Sequence, residues 1–599
     1  MRFSYLNNRE KISKIRLNIL QGGIFLLIII IIFKLFYLQI IKHDKYKRLA
    51  NQQHLLVKDL KSNRGEIFAL KSEDSTELSP LAVNHIYYEV SVDPFEIIRP
   101  HNISDILAEV LDLNSEEIYE KVTKEDRRYE RILNNIKEEK INILKDKLDL
   151  LLVDINKDKS TKDKINTTGV YWKKEVLRYY PDKEIGAHIL GFLGYGKDGY
   201  TRVGKYGLEG YWEKELVGIT GRIEGEKSLS GKLLSFTNNK LEVENGADLI
   251  LTIDHNIQYT ACKALERAVV NYDAESGSVI IMETQTGALR AMCNYPSFDP
   301  NKYNEVENVN VYNNNAVYHN YEPGSVMKSL SMAIAIETEK VSPDTLYNDE
   351  GEIKFAGGHI IRNSDLKAHG LVDMTEVLAS SLNTGIIFAT FEIHNKVFED
   401  YMKKFGFGEY VNIGISQDSK GDISKLSKKG DIYKATSSYG QGLTVTPLQM
   451  LNAINVLAND GNLVQPYIIN KIKYEDEIIK TFEPEIIRKV VSNHTASTLA
   501  AMMVNVVDSG HAIKAGVEGY YIAGKTGTAQ VVNKDTGRYD INKSIHNFVG
   551  FAPVDNPKFT MITKLDYPTA ARFSADTAAP LFGEIAKFLL AYYNIPPSK

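Results

Sequence analysis

Between Leu17 and Ile41 the only charged side chain is Lys34, and the stretch from Gly22 to Phe33 carries no charge at all. At about 1.5 Å per residue, a helix of this length crosses the ~30 Å hydrocarbon layer of a bilayer. A cleavable signal peptide has a shorter apolar region ending at small residues, whereas this run ends in Phe36–Tyr37–Leu38–Gln39. Arg2, Arg9, Lys11, Lys14 and Arg16 precede it, and Lys42, Lys45, Lys47 and Arg48 follow. The basic leader favours a cytoplasmic N-terminus. The expectation is a cytoplasmic leader over residues 1–16, a single transmembrane helix over 17–41 and a cell-membrane protein with everything beyond residue 41 outside the cytoplasm.

With 599 residues the chain exceeds one compact core, so at least two further domains are expected. A net charge of −5 gives no reason to expect a nucleic-acid partner. Cys262 and Cys293, the only cysteines, are too few for a disulfide framework and are read as buried unpaired thiols.

Residues 42–245 are polar and mixed. The charge-laced stretch 103–168 has helical spacing and is read as solvated helices. Asn63–Arg64–Gly65–Glu66–Ile67 and the segment Gly204 to Gly221 are distinctive, yet neither holds a nucleophile beside a base; packing or docking is expected of both. From Asn245–Gly246 the texture changes. Asp248 to Ile253 reads as a strand, followed by a helix through Val270. Ser278 to Glu283 and Ala288 to Asn294 read as strands joined by a turn at Thr284–Gly287. Leu581, Phe582, Ile585, Phe588, Leu589 and Tyr592 mark one face of a terminal helix. An α+β domain over 246–599 is expected, with a sheet framed by helices.

Three short motifs carry chemistry. Pro323–Gly324 break the chain before Ser325–Val326–Met327–Lys328, and an apolar helical segment follows to Ile336. Ser325 and Lys328 then lie on one helical face, which suits a hydroxyl nucleophile activated by a desolvated, neutral amine. Ser381–Leu382–Asn383 falls at a junction of two helical stretches, where a hydroxyl and an amide can face a cleft or simply cap a helix. Lys525–Thr526–Gly527–Thr528 lies among β-formers; its ammonium and hydroxyls suit a terminal carboxylate, and Gly527 lets a substrate backbone lie close.

Gly519 to Thr526 also satisfies G-x-x-x-x-G-K-[ST], the phosphate-loop pattern. A phosphate loop opens a helix, whereas Gly–Thr–Ala–Gln–Val–Val follows here, so no nucleotide is expected.

In this order the motifs resemble the S-x-x-K, S-x-N and K-T-G set of penicillin-recognising serine enzymes. Tyr439–Gly–Gln–Gly442 with Thr446–Pro–Leu–Gln449, Phe548 to Pro553, and the Thr286–Gly287 and Pro296–Asn301 segments are similar to further family patterns. Thr446 and Gln449 form a capping-box pattern, with Pro447 at the first helical position and Asn459–Asp460–Gly461 at the end. Arg64–Gly65 and the Gly207 to Trp212 segment resemble the pedestal of class B penicillin-binding proteins. Leu382 stands where Ser, Asp or Cys is commoner. No glycosyltransferase signature is present upstream.

The resemblance implies a penicillin-binding/serine β-lactamase-like transpeptidase domain (246–599) on an elongated mixed α/β pedestal of the dimerisation type (42–245). It implies a D,D-transpeptidase in which Ser325 attacks the penultimate D-Ala of a peptidoglycan stem peptide and Lys328 takes the proton. Backbone N–H groups of Ser325 and Thr528 form the oxyanion hole. Ser381 relays a proton to the leaving amine with Lys525; Asn383 holds the substrate amide; Lys525, Thr526, Gly527 and Thr528 receive its carboxylate. No metal or other cofactor is required. β-Lactams are expected to acylate Ser325, and a membrane glycan polymerase and division proteins are expected partners. SSYGQGLTVTPLQ and VEGYYIAGKTGTAQ look most like the division (septal) branch. Alternatives are an elongation-type transpeptidase, a D,D-carboxypeptidase or a β-lactamase, and, in another class, a division scaffold or a β-lactam sensor. A lactamase needs a deacylating water site, a sensor needs a larger cytoplasmic portion, and a scaffold tolerates loss of Ser325 or Lys328.

Overall fold

The computed structural model describes the chain apart from residues 1, 48–54, 73–75, 158, 160–163, 228–232, 357, 476, 533–535 and 537. Two compact units emerge: Met1–Ser62 with Ile219–Asn245, and Asn63–Gly218 with Gly246–Lys599. In the first, a helix over Arg2–Phe36 runs into a π-helical turn, Tyr37–Ile41. Its portion from Ile15 to Ile41 is long and apolar enough to cross a membrane, and its most apolar window buries nothing. A three-stranded antiparallel sheet accompanies it, in the order Leu55–Leu60, Gly221–Lys227, Leu233–Leu241.

The second unit is grouped differently from a linear cut at residue 245, because its strands interleave. A seven-stranded sheet runs Glu477–Thr481, Ile469–Tyr474, Asp248–Asp254, Ile67–Leu70, Leu78–Val92, Glu130–Lys137, with Val170–Tyr179 also pairing Leu78–Val92. Asp248–Asp254 lies parallel to Ile67–Leu70, so this sheet contains strands from both sides of the cut.

The stretch 103–168 corrects the expectation of solvated helices; residues 158 and 160–163 of it lie outside the described residues. Helices Pro100–Leu111, Ser115–Val122 and Glu138–Asn156 pack with the strand Glu130–Lys137 around a core of their own. Ile103, Leu107, Ile118, Leu144 and Leu148 form the inward stripes, and Ile132 and Ile136 enter from the strand. Charges occupy the opposite faces, which is why the composition looked solvated.

Arg64 and the Gly207 segment meet as the packing reading expected. The buried Glu209 carboxylate takes Arg178 Nε at 2.7 Å, Arg64 Nε at 2.7 Å and the Tyr180 hydroxyl at 3.2 Å. Arg64 also reaches Glu213 at 2.6 Å, and Arg178 Nη1 donates to the Gly65 carbonyl at 2.7 Å. Burial pushes the Glu209 pKa up, but Arg178 and Arg64 outweigh it and hold the carboxyl below the usual range. A β-carbon on Gly65 would meet the Ala247 backbone, 2.5 Å from its carbonyl carbon, so this position admits only glycine.

The central five-stranded sheet is antiparallel throughout. Its strands are β1 (Ser276–Glu283), β2 (Leu289–Tyr295), β3 (Ala523–Val532), β4 (Tyr539–Ala552) and β5 (Phe559–Asp566), in the order β2-β1-β5-β4-β3. The β1–β2 hairpin forms where the two strands and the turn at Thr284–Gly287 were read from sequence. A terminal helix, Ala578–Tyr592, covers one face, with Phe582 edge-on to Phe548 at 4.6 Å between centroids. The two large sheets are joined by Thr252, whose buried hydroxyl donates to the Leu289 carbonyl at 2.7 Å, while its N–H donates to the Ile468 carbonyl at 2.8 Å.

The cysteines are not free thiols. Cys262, on the helix His255–Asn271, is disulfide-bonded to Cys293 on β2. That helix packs across the strand and brings two Cα atoms 31 residues apart in sequence to 5.2 Å. Closing a loop of this length removes enough unfolded-chain entropy to stabilise by about 3–4 kcal/mol. Denaturant titration of Cys262→Ala/Cys293→Ala against the oxidised protein should show a loss of that order; equal midpoints would mean that the crosslink contributes nothing.

Candidate active site

Ser325 lies in a 3₁₀ turn, Gly324–Val326, which leads straight into helix α1, Met327–Glu337. Pro323 and the positive φ of Gly324 (60°) make the sharp entry, which leaves Ser325 partly accessible and Lys328 buried one turn later. Ser381 sits between α2, Met374–Ala379, and α3, Asn383–Phe391, at the junction expected from sequence. Its φ of 55° is left-handed, a conformation costly for a residue with a side chain. Strand β3 carries Lys525 to Thr528 and continues as strand, so the phosphate-loop pattern lacks the helix that would make it one.

The three motifs converge. Lys328 Nζ donates to the Ser381 carbonyl at 2.5 Å and to its hydroxyl at 3.2 Å; Lys525 Nζ donates to the same hydroxyl at 3.0 Å. Both amines are enclosed, and among the described residues no carboxylate contacts either. Burial, and then the neighbouring Lys525, push Lys328 well below the ordinary lysine range. Burial pushes Lys525 down to about 7. A neutral Lys328 has two N–H bonds and one lone pair. Those two N–H bonds match the two Ser381 oxygens that Lys328 reaches, and the lone pair is what a base needs to take a proton.

The turn that carries Ser325 also lies against β3. A β-carbon on Gly527 would fall 2.6 Å from the Pro323 carbonyl oxygen, and one on Gly324 would fall 3.3 Å from the Thr528 carbonyl oxygen. Thr526 is buried, its hydroxyl 3.4 Å from Lys525 Nζ. The Thr528 hydroxyl is held by Ser574, donating to its Oγ and accepting from its N–H, both at 3.1 Å. Asn383 is partly exposed at the start of α3 and donates to the Arg362 carbonyl at 2.8 Å. Leu382, the departure from the commoner motif, is buried in the core and is a packing residue.

Several participants escaped the sequence reading. Ser574 fixes Thr528, and His511 Nε2 lies 3.1 Å from the Ser380 carbonyl at the strained turn. Glu322 accepts from the Gly442 N–H at 2.9 Å and from the Tyr539 hydroxyl at 3.0 Å, tying the residues before Ser325 to the Gly440–Gly442 loop and to β4. None belongs to a motif. Separations of 46 to 217 residues left no local signal for the Ser574 and Tyr539 contacts.

Comparison with known proteins agrees with this geometry. Residues 277–587 match the penicillin binding protein transpeptidase domain, and residues 59–251 match the penicillin-binding protein dimerisation domain. Stage V sporulation protein D of Bacillus subtilis is 30% identical over 100% of this chain and 88% of its own length. Peptidoglycan D,D-transpeptidase FtsI of Escherichia coli K12 is 27% identical over 97% of this chain and 92% of its own. Among solved structures, apo penicillin binding protein 3 from Mycobacterium tuberculosis superposes with a TM-score of 0.62 at 30% identity, covering 71% of this chain and 92% of that one. Fold and motif order together define a penicillin-recognising serine enzyme. The full-length match with a pedestal domain is narrower: the chain belongs to the class B penicillin-binding proteins, and it is a peptidoglycan D,D-transpeptidase.

Proposed function

We propose that this transpeptidase works through an acyl-enzyme at Ser325. Lys328 accepts the hydroxyl proton as Ser325 Oγ bonds to the penultimate D-Ala carbonyl. The Ser325 and Thr528 N–H groups receive the oxyanion. As the C–N bond breaks, the proton passes by way of Ser381 to the departing D-Ala amine, and Lys525 shares in holding that hydroxyl. Asn383 orients the donor peptide, and Lys525, Thr526, Gly527 and Thr528 take its carboxylate. A second stem peptide's amine then attacks the ester, giving the cross-link and returning the proton to the serine. The observation that carries this reading is the convergence of Lys328 and Lys525 on the Ser381 hydroxyl at 3.2 and 3.0 Å, both buried and with no counter-ion among the described residues.

β-Lactams share the D-Ala-D-Ala outline, and solved penicillin binding protein 3 complexes hold aztreonam and ampicillin. Incubation with benzylpenicillin should add one ligand mass, mapped by peptide mass spectrometry to the peptide containing Ser325; an adduct elsewhere would refute the assignment. The helix Ile15–Ile41 supports a single-pass anchor with residues 1–16 cytoplasmic, a pedestal over 42–245 and the catalytic domain over 246–599 outside. The resemblance of SSYGQGLTVTPLQ and VEGYYIAGKTGTAQ to the division branch favours septal wall synthesis alongside a membrane glycan polymerase. A relative named for sporulation that matches over the whole chain favours spore-wall synthesis as a second reading. A tagged copy at mid-cell in dividing cells supports the first; confinement to spore-forming cells supports the second.

A further inference from the structure

A row of residues across the sheet lies beneath the nucleophile turn. Gly527 on β3 is in register with Asn547 on β4, and Asn547 with Lys564 on β5. Lys564 lies under the Tyr321 ring at 5.2 Å and is ion-paired to Asp566. Asn547 is fully buried, and its amide nitrogen is within reach of two carbonyls, Gly527 at 3.2 Å and Pro323 at 3.3 Å. Its amide oxygen is buried with no hydrogen-bond partner among the described residues. A side chain needed only to fill space would be better apolar, since an orphaned buried carbonyl oxygen is unfavourable. The two N–H bonds are what an asparagine adds here.

Both carbonyls belong to backbone that aims the proposed oxyanion donors. Gly527 C=O and Thr528 N–H are two ends of one planar trans peptide, so holding the oxygen fixes the direction of the N–H. The Thr528 carbonyl faces Gly324, and in an extended strand a residue's N–H points to the same side as its C=O, here toward the nucleophile turn. Pro323 C=O belongs to the peptide just before the one that presents the Ser325 N–H.

We infer that Asn547 is a positioning residue that sets the span between the two oxyanion donors by clamping the Pro323 and Gly527 carbonyls to one amide. This rests on the Ser325 acyl-enzyme reading.

Stopped-flow acylation by a fluorescent penicillin tests it on the full-length detergent-solubilised protein. Asn547→Leu keeps the shape and removes both donors. The limiting acylation rate constant should fall roughly 10- to 100-fold, as misplacement of reacting groups does, while the encounter dissociation constant and melting temperature stay near wild type. An unchanged rate, or a fall matched by weaker encounter and lower melting temperature, overturns the inference. Should Asn547→Leu not fold, Asn547→Ser and Asn547→Ala carry the comparison: a faster serine variant supports the clamp, and equal rates overturn it. Ser325→Ala separates the two levels. If it acylates like wild type, the reading fails and the clamp with it; if it is inert while the Asn547 variants match wild type, only the clamp fails.

Discussion

Replacing Lys328 with methionine is expected to slow acylation by a β-lactam roughly 10²- to 10⁴-fold, the range of a lost general base, without unfolding the protein. Methionine is close in length to the buried lysine stem, and it removes an amine that no carboxylate among the described residues contacts, so stability should hold or rise. The pH profile adds a sign. Both lysines have folded pKa values depressed below those of the unfolded chain, Lys525 to about 7. Their contribution to stability is therefore present above the ordinary lysine pKa and is lost as pH falls through the folded values. Acylation should likewise fall on acidification as Lys328 takes a proton, and Lys328→Met should lack that limb. Rate constants measured from pH 5 to 9 decide: a variant within tenfold of wild type with the same limb would remove Lys328 from the mechanism.

The second large effect lies away from the chemistry. Glu209→Ala should destabilise by about 3–5 kcal/mol, because it strands the buried Arg178 and leaves Arg64 with Glu213 as its remaining carboxylate. Since the Glu209 carboxyl is held below its ordinary pKa, its contribution is complete at neutral pH and disappears as pH falls through the folded value. Glu209→Ala and wild type should therefore converge in strongly acidic solution. Urea melts at neutral and acid pH measure both. A neutral-pH difference under 1 kcal/mol would show that the arginines find water instead.

Much of the site was legible because its chemistry is local. Ser325 and Lys328 are one turn apart, Lys525 to Thr528 occupy four consecutive residues, and Thr446–Gln449 closes a capping box that the helix Pro447–Ala458 uses. What was hidden depends on distance or on burial. The Cys262–Cys293 link needs a helix laid across a strand. Asn547 is unremarkable in a β-forming stretch until the Pro323 carbonyl arrives from 224 residues away. The strand Glu130–Lys137 places Ile132, Leu133 and Ile136 at a spacing of one and four, which imitates a helical period and conceals the strand. The interleaved pairing of Asp248–Asp254 with Ile67–Leu70 joins segments that composition assigns to different domains.

That parallel pairing has a mechanical meaning. Peptide hydrogen bonds continue from the Leu78–Val92 strand through Ile67–Leu70 to Asp248–Asp254, and Thr252 carries the connection on to the edge of the central sheet. The Leu78–Val92 strand is thus tied to the central sheet by lateral hydrogen bonds rather than by a loop, so displacing one sheet strains the other instead of turning about a single hinge.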